Sequence, residues 1–155
     1  MKNKFAQAAF AVLFGVGLIV NLAWPARADE HSCSLARAAG TYGVSDSGTI
    51  VGLGPRAAIA QLTLDRAGSI NGGVTASLNG TVSSSTLSGT YAINSDCTGS
   101  TTFGEYDGSG NLLLTATVAL VWDDDMREFR FLFVSVVLPN GTSLPTTVNG
   151  NAKKR

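Results

Sequence analysis

Side chains able to support acid–base, nucleophilic or metal chemistry are few in this sequence and lie far apart. His31 is the single histidine, and it stands two residues before Cys33 with no second histidine beside it. A catalytic base needs an oriented partner within hydrogen-bond reach, so His31 reads as a solvated tail residue. Asp123, Asp124 and Asp125 are the densest acidic run. They are candidates for a hard cation such as Ca²⁺, but such an ion takes roughly six to eight oxygens converging from several directions. The run reads better as a solvated turn between two hydrophobic strands, where its charge also opposes aggregation. Asp107-Gly108-Ser109-Gly110-Asn111 has the composition of a calcium loop, yet Val118 occupies position 12, where the EF-hand glutamate would stand. Ser83-Ser84-Ser85 reads as a flexible connection with no histidine to activate a hydroxyl. Asn79-Gly80-Thr81 and Asn140-Gly141-Thr142 match the glycosylation acceptor pattern and equally read as Asn-Gly turns. No catalytic residue, metal or cofactor is expected, and the expectation is a non-enzymatic protein.

The two cysteines, Cys33 and Cys97, carry more information. An isolated even pair in an oxidising compartment reads as a disulfide. The start of the chain indicates such a compartment. Lys2 and Lys4 precede an apolar run from Phe5 to Trp24, Pro25 breaks it, and Ala26-Arg27-Ala28 offers the small residues that a signal peptidase reads. Residues 1–28 are therefore expected to be a signal peptide cleaved after Ala28, touching the membrane only transiently. An uncleaved anchor is the competing reading, because the run approaches the length of a bilayer span. The protein is expected to be secreted or periplasmic.

The whole chain has eleven basic and eleven acidic residues. Without residues 1–28 the balance is eight against eleven, a net charge of −3. An acidic body argues against nucleic acid as a partner. The low charged fraction (14%) and 18 glycines argue against a helical bundle.

These sparse groups must be positioned by strands. From Gly40 onward the pattern has period two, interrupted by turn residues such as those at 65–68, 79–80, 107–110 and 140–141. Candidate strands are 40–45, 57–65, 69–78, 86–94, 99–106, 111–122, 128–138 and 144–150. Each has one apolar face and one weakly polar face. In the sixth, Leu112, Leu114, Ala116, Val118, Leu120 and Trp122 share the apolar face; in the seventh, Phe129, Phe131 and Phe133 oppose Arg130, Leu132, Val134 and Val136. An even number of strands with short links and no crossover helix predicts an all-β, antiparallel up-and-down barrel of about eight strands. A two-sheet β-sandwich is the alternative. The expected organisation is a segment at 29–39 carrying Cys33, a barrel at 40–152 and a basic tail at 153–155.

Gly40-Thr41-Tyr42-Gly43-Val44 is echoed by Gly89-Thr90-Tyr91-Ala92-Ile93, suggesting equivalent hairpins in one sheet. Together with Asp96-Cys97-Thr98-Gly99, the Asp65/Gly68 turn and the closing stretch 148–155, this pattern resembles a group of small exported bacterial proteins without an assigned activity. More distantly, Gly40-Thr41-Tyr42 is similar to the Gly-x-Trp opening of lipocalin-like (calycin) barrels, with Tyr42 at the tryptophan position. Allene-oxide-cyclase-like barrels are similar in architecture. These resemblances imply a barrel and transfer no catalytic residue.

An eight-stranded barrel either holds one small ligand or is filled by side chains. Tyr42, Tyr91, Leu112, Leu114, Trp122, Phe129, Phe131 and Phe133 are the candidate lining for a small hydrophobic molecule. The alternative is a surface or structural interaction module with a solid core. A cyclase or isomerase working mainly by shape is a third reading.

Overall fold

The computed structural model describes residues 32–123 and 125–155. The signal-peptide reading, His31 and Asp124 lie outside the described residues. After a one-turn helix α1 (Leu35–Ala38), the chain forms β1 (Gly40–Ile50), β2 (Gly54–Leu64), β3 (Ser69–Leu78), β4 (Thr81–Ile93), β5 (Thr98–Tyr106), β6 (Leu112–Trp122), β7 (Glu128–Val137), β8 (Ser143–Leu144) and β9 (Asn149–Lys154). β1 to β7 pair in sequence order, each antiparallel to the next. β9 then pairs antiparallel with both β7 and β1, closing the sheet on itself. β8 is a short addition to the far half of β7. The architecture is a closed eight-stranded up-and-down barrel, as the alternation predicts, and not a sandwich.

Closure required residues that the hydrophobic pattern alone placed elsewhere. Lys153 and Lys154, read as a tail, belong to the closing strand, where they pair with Gly43 and Tyr42. Ser83, Ser84 and Ser85, read as a loose connection, are strand residues opposite Ala76, Thr75 and Val74. β1 runs five residues further than expected, through the turn-like Asp46-Ser47-Gly48-Thr49. Val136, read as outward, is fully buried because the β6–β7 register shifts next to Val118 and leaves Val134 without a partner. The start of β6 changes similarly. A register shift between Glu105 and Tyr106 skips Leu113, and Leu112, an expected lining residue, is 37% exposed at the barrel rim.

Inward glycines set the tight curvature of the wall. A Cβ on Gly89 would overlap the Thr102 carbonyl oxygen, and one on Gly72 would overlap that of Gln61. At both places the backbone of the neighbouring strand comes too close for any side chain.

Candidate functional site

One end of the barrel is sealed. The turns at residues 65–68 and 94–97 and the connecting residues 125–127 lie there, and residues 32–39 fold across it as a lid. Cys33 and Cys97 form the expected disulfide, with Cα atoms 5.1 Å apart, fastening the lid to the β4–β5 turn. The repeated Gly-Thr-Tyr acquires a reason at this end. The Tyr42 hydroxyl donates to the carbonyl of Ala38 at 2.7 Å, and the Tyr91 hydroxyl donates to that of Asp65. Lys154 Nζ donates to the Arg37 carbonyl at 2.9 Å. Tyr42 thereby pairs a carbonyl of the buried Ala38, and Tyr91 adds a second donor to the Asp65 carbonyl, which also accepts the Gly68 N–H within its turn.

Burial pushes both phenols up, Tyr42 with added repulsion from Tyr91 and Asp123, and Tyr91 to about 12 with added repulsion from Asp65. A folded pKa above the unfolded value of about 10 contributes stability that is complete below pH 10 and lost as pH climbs through the folded value. The thermal midpoint is thus expected to be level up to about pH 10 and to fall steeply towards pH 12. Circular dichroism melts across that range test this, and a flat profile would refute it.

Below the lid, Tyr42, Trp122 and Phe129 pack ring against ring, with centroids 4.3–5.6 Å apart. Trp122 Nε1 is buried and has no hydrogen-bond partner among the described residues. Higher in the barrel, Phe129, Phe131 and Phe133 face inward beside Phe103, Leu87 and Leu120. They surround a wholly apolar void of about 40 Å³. A water needs about 10–15 Å³ and a benzene-sized cavity measures about 150 Å³, so the barrel is close to solid. Among the expected lining residues, the structure brings Phe129, Phe131 and Phe133 to this void. Tyr42, Tyr91 and Trp122 serve the sealed end, Leu114 is buried core, and Leu112 lies at the rim.

Sequence reasoning missed a charged cluster inside the barrel. Arg56 Nε donates to Asp46 Oδ1 at 3.1 Å, and its Nη1 lies 3.5 Å from Glu105 Oε2. Ser85 Oγ donates to the other Glu105 oxygen at 2.6 Å. The three charged side chains are at most 9% exposed, and the guanidinium sits 6.0 Å from the centre of the Phe133 ring. The signal was present: in β1, β2 and β5 these residues fall on the same alternation as the buried apolar ones.

These three are also the only charged residues of β1 to β6. These six adjacent strands therefore turn no charge of their own outward, although Arg155, just beyond β9, reaches the wall and donates to Gln61 of β2 at 2.9 Å. The wall combines exposed aliphatic residues, Ile59, Val82 and Val121, with hydroxyls and amides that bond across strands: Ser88 to Asn71 at 2.9 Å, Thr75 to Ser84 at 3.3 Å and Thr102 to Thr117 at 3.4 Å. The chain's exposed charges gather at the turns and on β7 and β9. There Asp123 and Asp125 accept the backbone N–H of Arg127, as turn carboxylates do. Asp65, Asp96 and Asp107 are each held below the usual aspartate range by hydrogen bonds within their own turns.

The fold and its sealed end define a small, disulfide-fastened up-and-down β-barrel. Among solved structures the chain is similar to a redesigned β-barrel, mFAP1, bound to DFHBI (TM-score 0.51, 13% identity, covering 78% of this chain and 98% of that one). It also matches another redesigned barrel, b11L5F_LGL (TM-score 0.48, 12% identity, 79% and 95%). A third match is the S-type phycobiliprotein lyase CPES from Guillardia theta (TM-score 0.47, 9% identity, 81% and 95%). At such identities the likeness concerns the fold alone. No family model matches the chain, and no curated protein does.

Proposed function

We propose that this protein is an exported, non-enzymatic interaction module whose working surface is the outside of the barrel. The observation that carries this reading is the void of about 40 Å³ inside. Ligand sites measure about 300–1,000 Å³, so an internal molecule of ordinary size would have to displace Phe129, Phe131 or Phe133. The charged groups of the interior are engaged with one another: Arg56 with two carboxylates, one of which also accepts from Ser85. The oxidised cysteine pair and the signal-like pattern of residues 1–28 support export, which N-terminal sequencing of the exported protein tests by finding Asp29 first.

The solid-core reading is tested with an environment-sensitive hydrophobic dye. Titration is expected to give no saturable one-to-one binding. Saturable binding that quenches on Phe131→Trp labelling would instead place the ligand inside and sink the proposal.

A further inference from the structure

Six adjacent strands that turn no charge of their own outward are unusual, because soluble surfaces commonly carry about 25–35% charged residues to stay dispersed. Here the first six strands spend their only three charges on the interior. Between Val82 and Ala92, the exposed outward positions of β4 are hydroxyls: Ser84, Thr86, Ser88 and Thr90. Strands lie about 4.8 Å apart and alternate residues about 6.7 Å apart, so these hydroxyls and their neighbours form a regular grid. The cross-strand bonds to Asn71, Thr75 and Thr117 hold part of that grid in fixed rotamers.

One aromatic ring lies on this wall. Tyr106 pairs with Thr86 and is half-buried, and it folds back along its own strand across Gly104. A Cβ on Gly104 would stand 2.7 Å from the tyrosine oxygen and 2.9 Å from a ring carbon, so the glycine makes room for the ring to lie flat. Gly104 in turn pairs with Ser88 on one side and Thr115 on the other. The result is a flat apolar plate bordered by hydroxyls.

We infer that this face, with Tyr106 as its plate and Thr86 and Ser88 as its hydrogen-bonding border, binds a neutral polysaccharide. A sugar ring presents an apolar C–H face to stack on an aromatic plate and an edge of hydroxyls that both donate and accept, which is what this wall offers in return. The charge balance excludes the competitors. Anionic polymers need several Lys or Arg; β4, β5 and β6 supply none, and Arg155 lies to the side of Tyr106, against Gln61 and Gly73. A stable protein interface needs a buried apolar centre with several aromatic anchors; the exposed apolar residues of this wall, Ile59, Val82 and Val121, are aliphatic, and Tyr106 is its single ring. The inference rests on the outer-wall reading and names its partner.

The test is affinity electrophoresis of the full disulfide-bonded chain in gels containing hydroxyethylcellulose, a β-1,3-glucan or, as anionic comparison, alginate. At least one neutral polymer is expected to retard the protein, and alginate is not. Tyr106→Ala is expected to weaken retardation about tenfold, the scale of one lost aromatic contact, while Tyr106→Phe retains it. Ser88→Glu, at an exposed position, is expected to abolish it with the melting temperature unchanged, and it carries the test if Tyr106→Ala proves unstable. Absence of retardation by either neutral polymer overturns the inference, as does retardation of Ser88→Glu equal to the unsubstituted chain. Saturable dye binding inside the barrel would overturn the outer-wall reading instead, so the two failures are told apart.

Discussion

Exchanging Arg56 for methionine is expected to lower stability by about 3–5 kcal/mol, because it leaves two carboxylates buried without their cation. Asp46 and Glu105 are 9% and 6% exposed at the side chain, too little for water to take the place of the guanidinium. Ser85 continues to donate to one Glu105 oxygen, but a neutral hydroxyl does not offset two negative charges. The companion variant gives the decisive comparison. Replacing Asp46, Arg56 and Glu105 together by Leu, Met and Leu removes the desolvation cost along with the attraction, and such exchanges are commonly neutral or stabilising. Urea unfolding of both variants should therefore give a much lower midpoint for the single change and a near-native one for the triple. Equal destabilisation would mean that the cluster contributes shape rather than charge pairing.

Breaking the Cys33–Cys97 bond is expected to have an effect of similar size. The cysteines are 64 residues apart, and the chain-entropy model assigns a closure of that length about 4 kcal/mol. For a domain of this size each kcal/mol moves the thermal midpoint by about 2–6 °C, so Cys33→Ser/Cys97→Ser should melt lower by about 10 °C or more. The loss should begin at the lid, whose backbone is otherwise held by Tyr42, Tyr91 and Lys154. Near-ultraviolet circular dichroism of Trp122 and Tyr42 reports that end separately from the wall. An unchanged midpoint after complete reduction would remove the disulfide from the stability of this fold.

Much of the barrel could be read from alternation, and the exceptions have physical causes. β2 and β3 match expectation closely, because Ala58 to Leu64 and Ile70 to Leu78 alternate cleanly against polar neighbours. Ser83-Ser84-Ser85 looked like a loop because three serines carry no hydrophobic period; only the facing strand β3 makes them strand residues. Val136 and Leu112 were assigned to the wrong environment because each lies beyond a register irregularity, and a one-residue slip reverses every later side chain. Arg56 was hidden by its context, since Gly54-Pro55 before it reads as a turn. The disulfide was legible because two cysteines leave a single intramolecular pairing. The absence of outward charge from β1 to β6 was not, because it appears only when six strands are laid side by side.

The position of β9 has a consequence for biosynthesis. This strand joins β1 to β7, bringing together segments more than 80 residues apart. No wall can close until residues 149–154 have emerged from the ribosome, and pairings between such distant segments form slowly. A growing chain therefore stays open along one seam until β9 has been made. On the export proposed above, that delay would keep the nascent barrel in a form that a narrow translocation channel accepts.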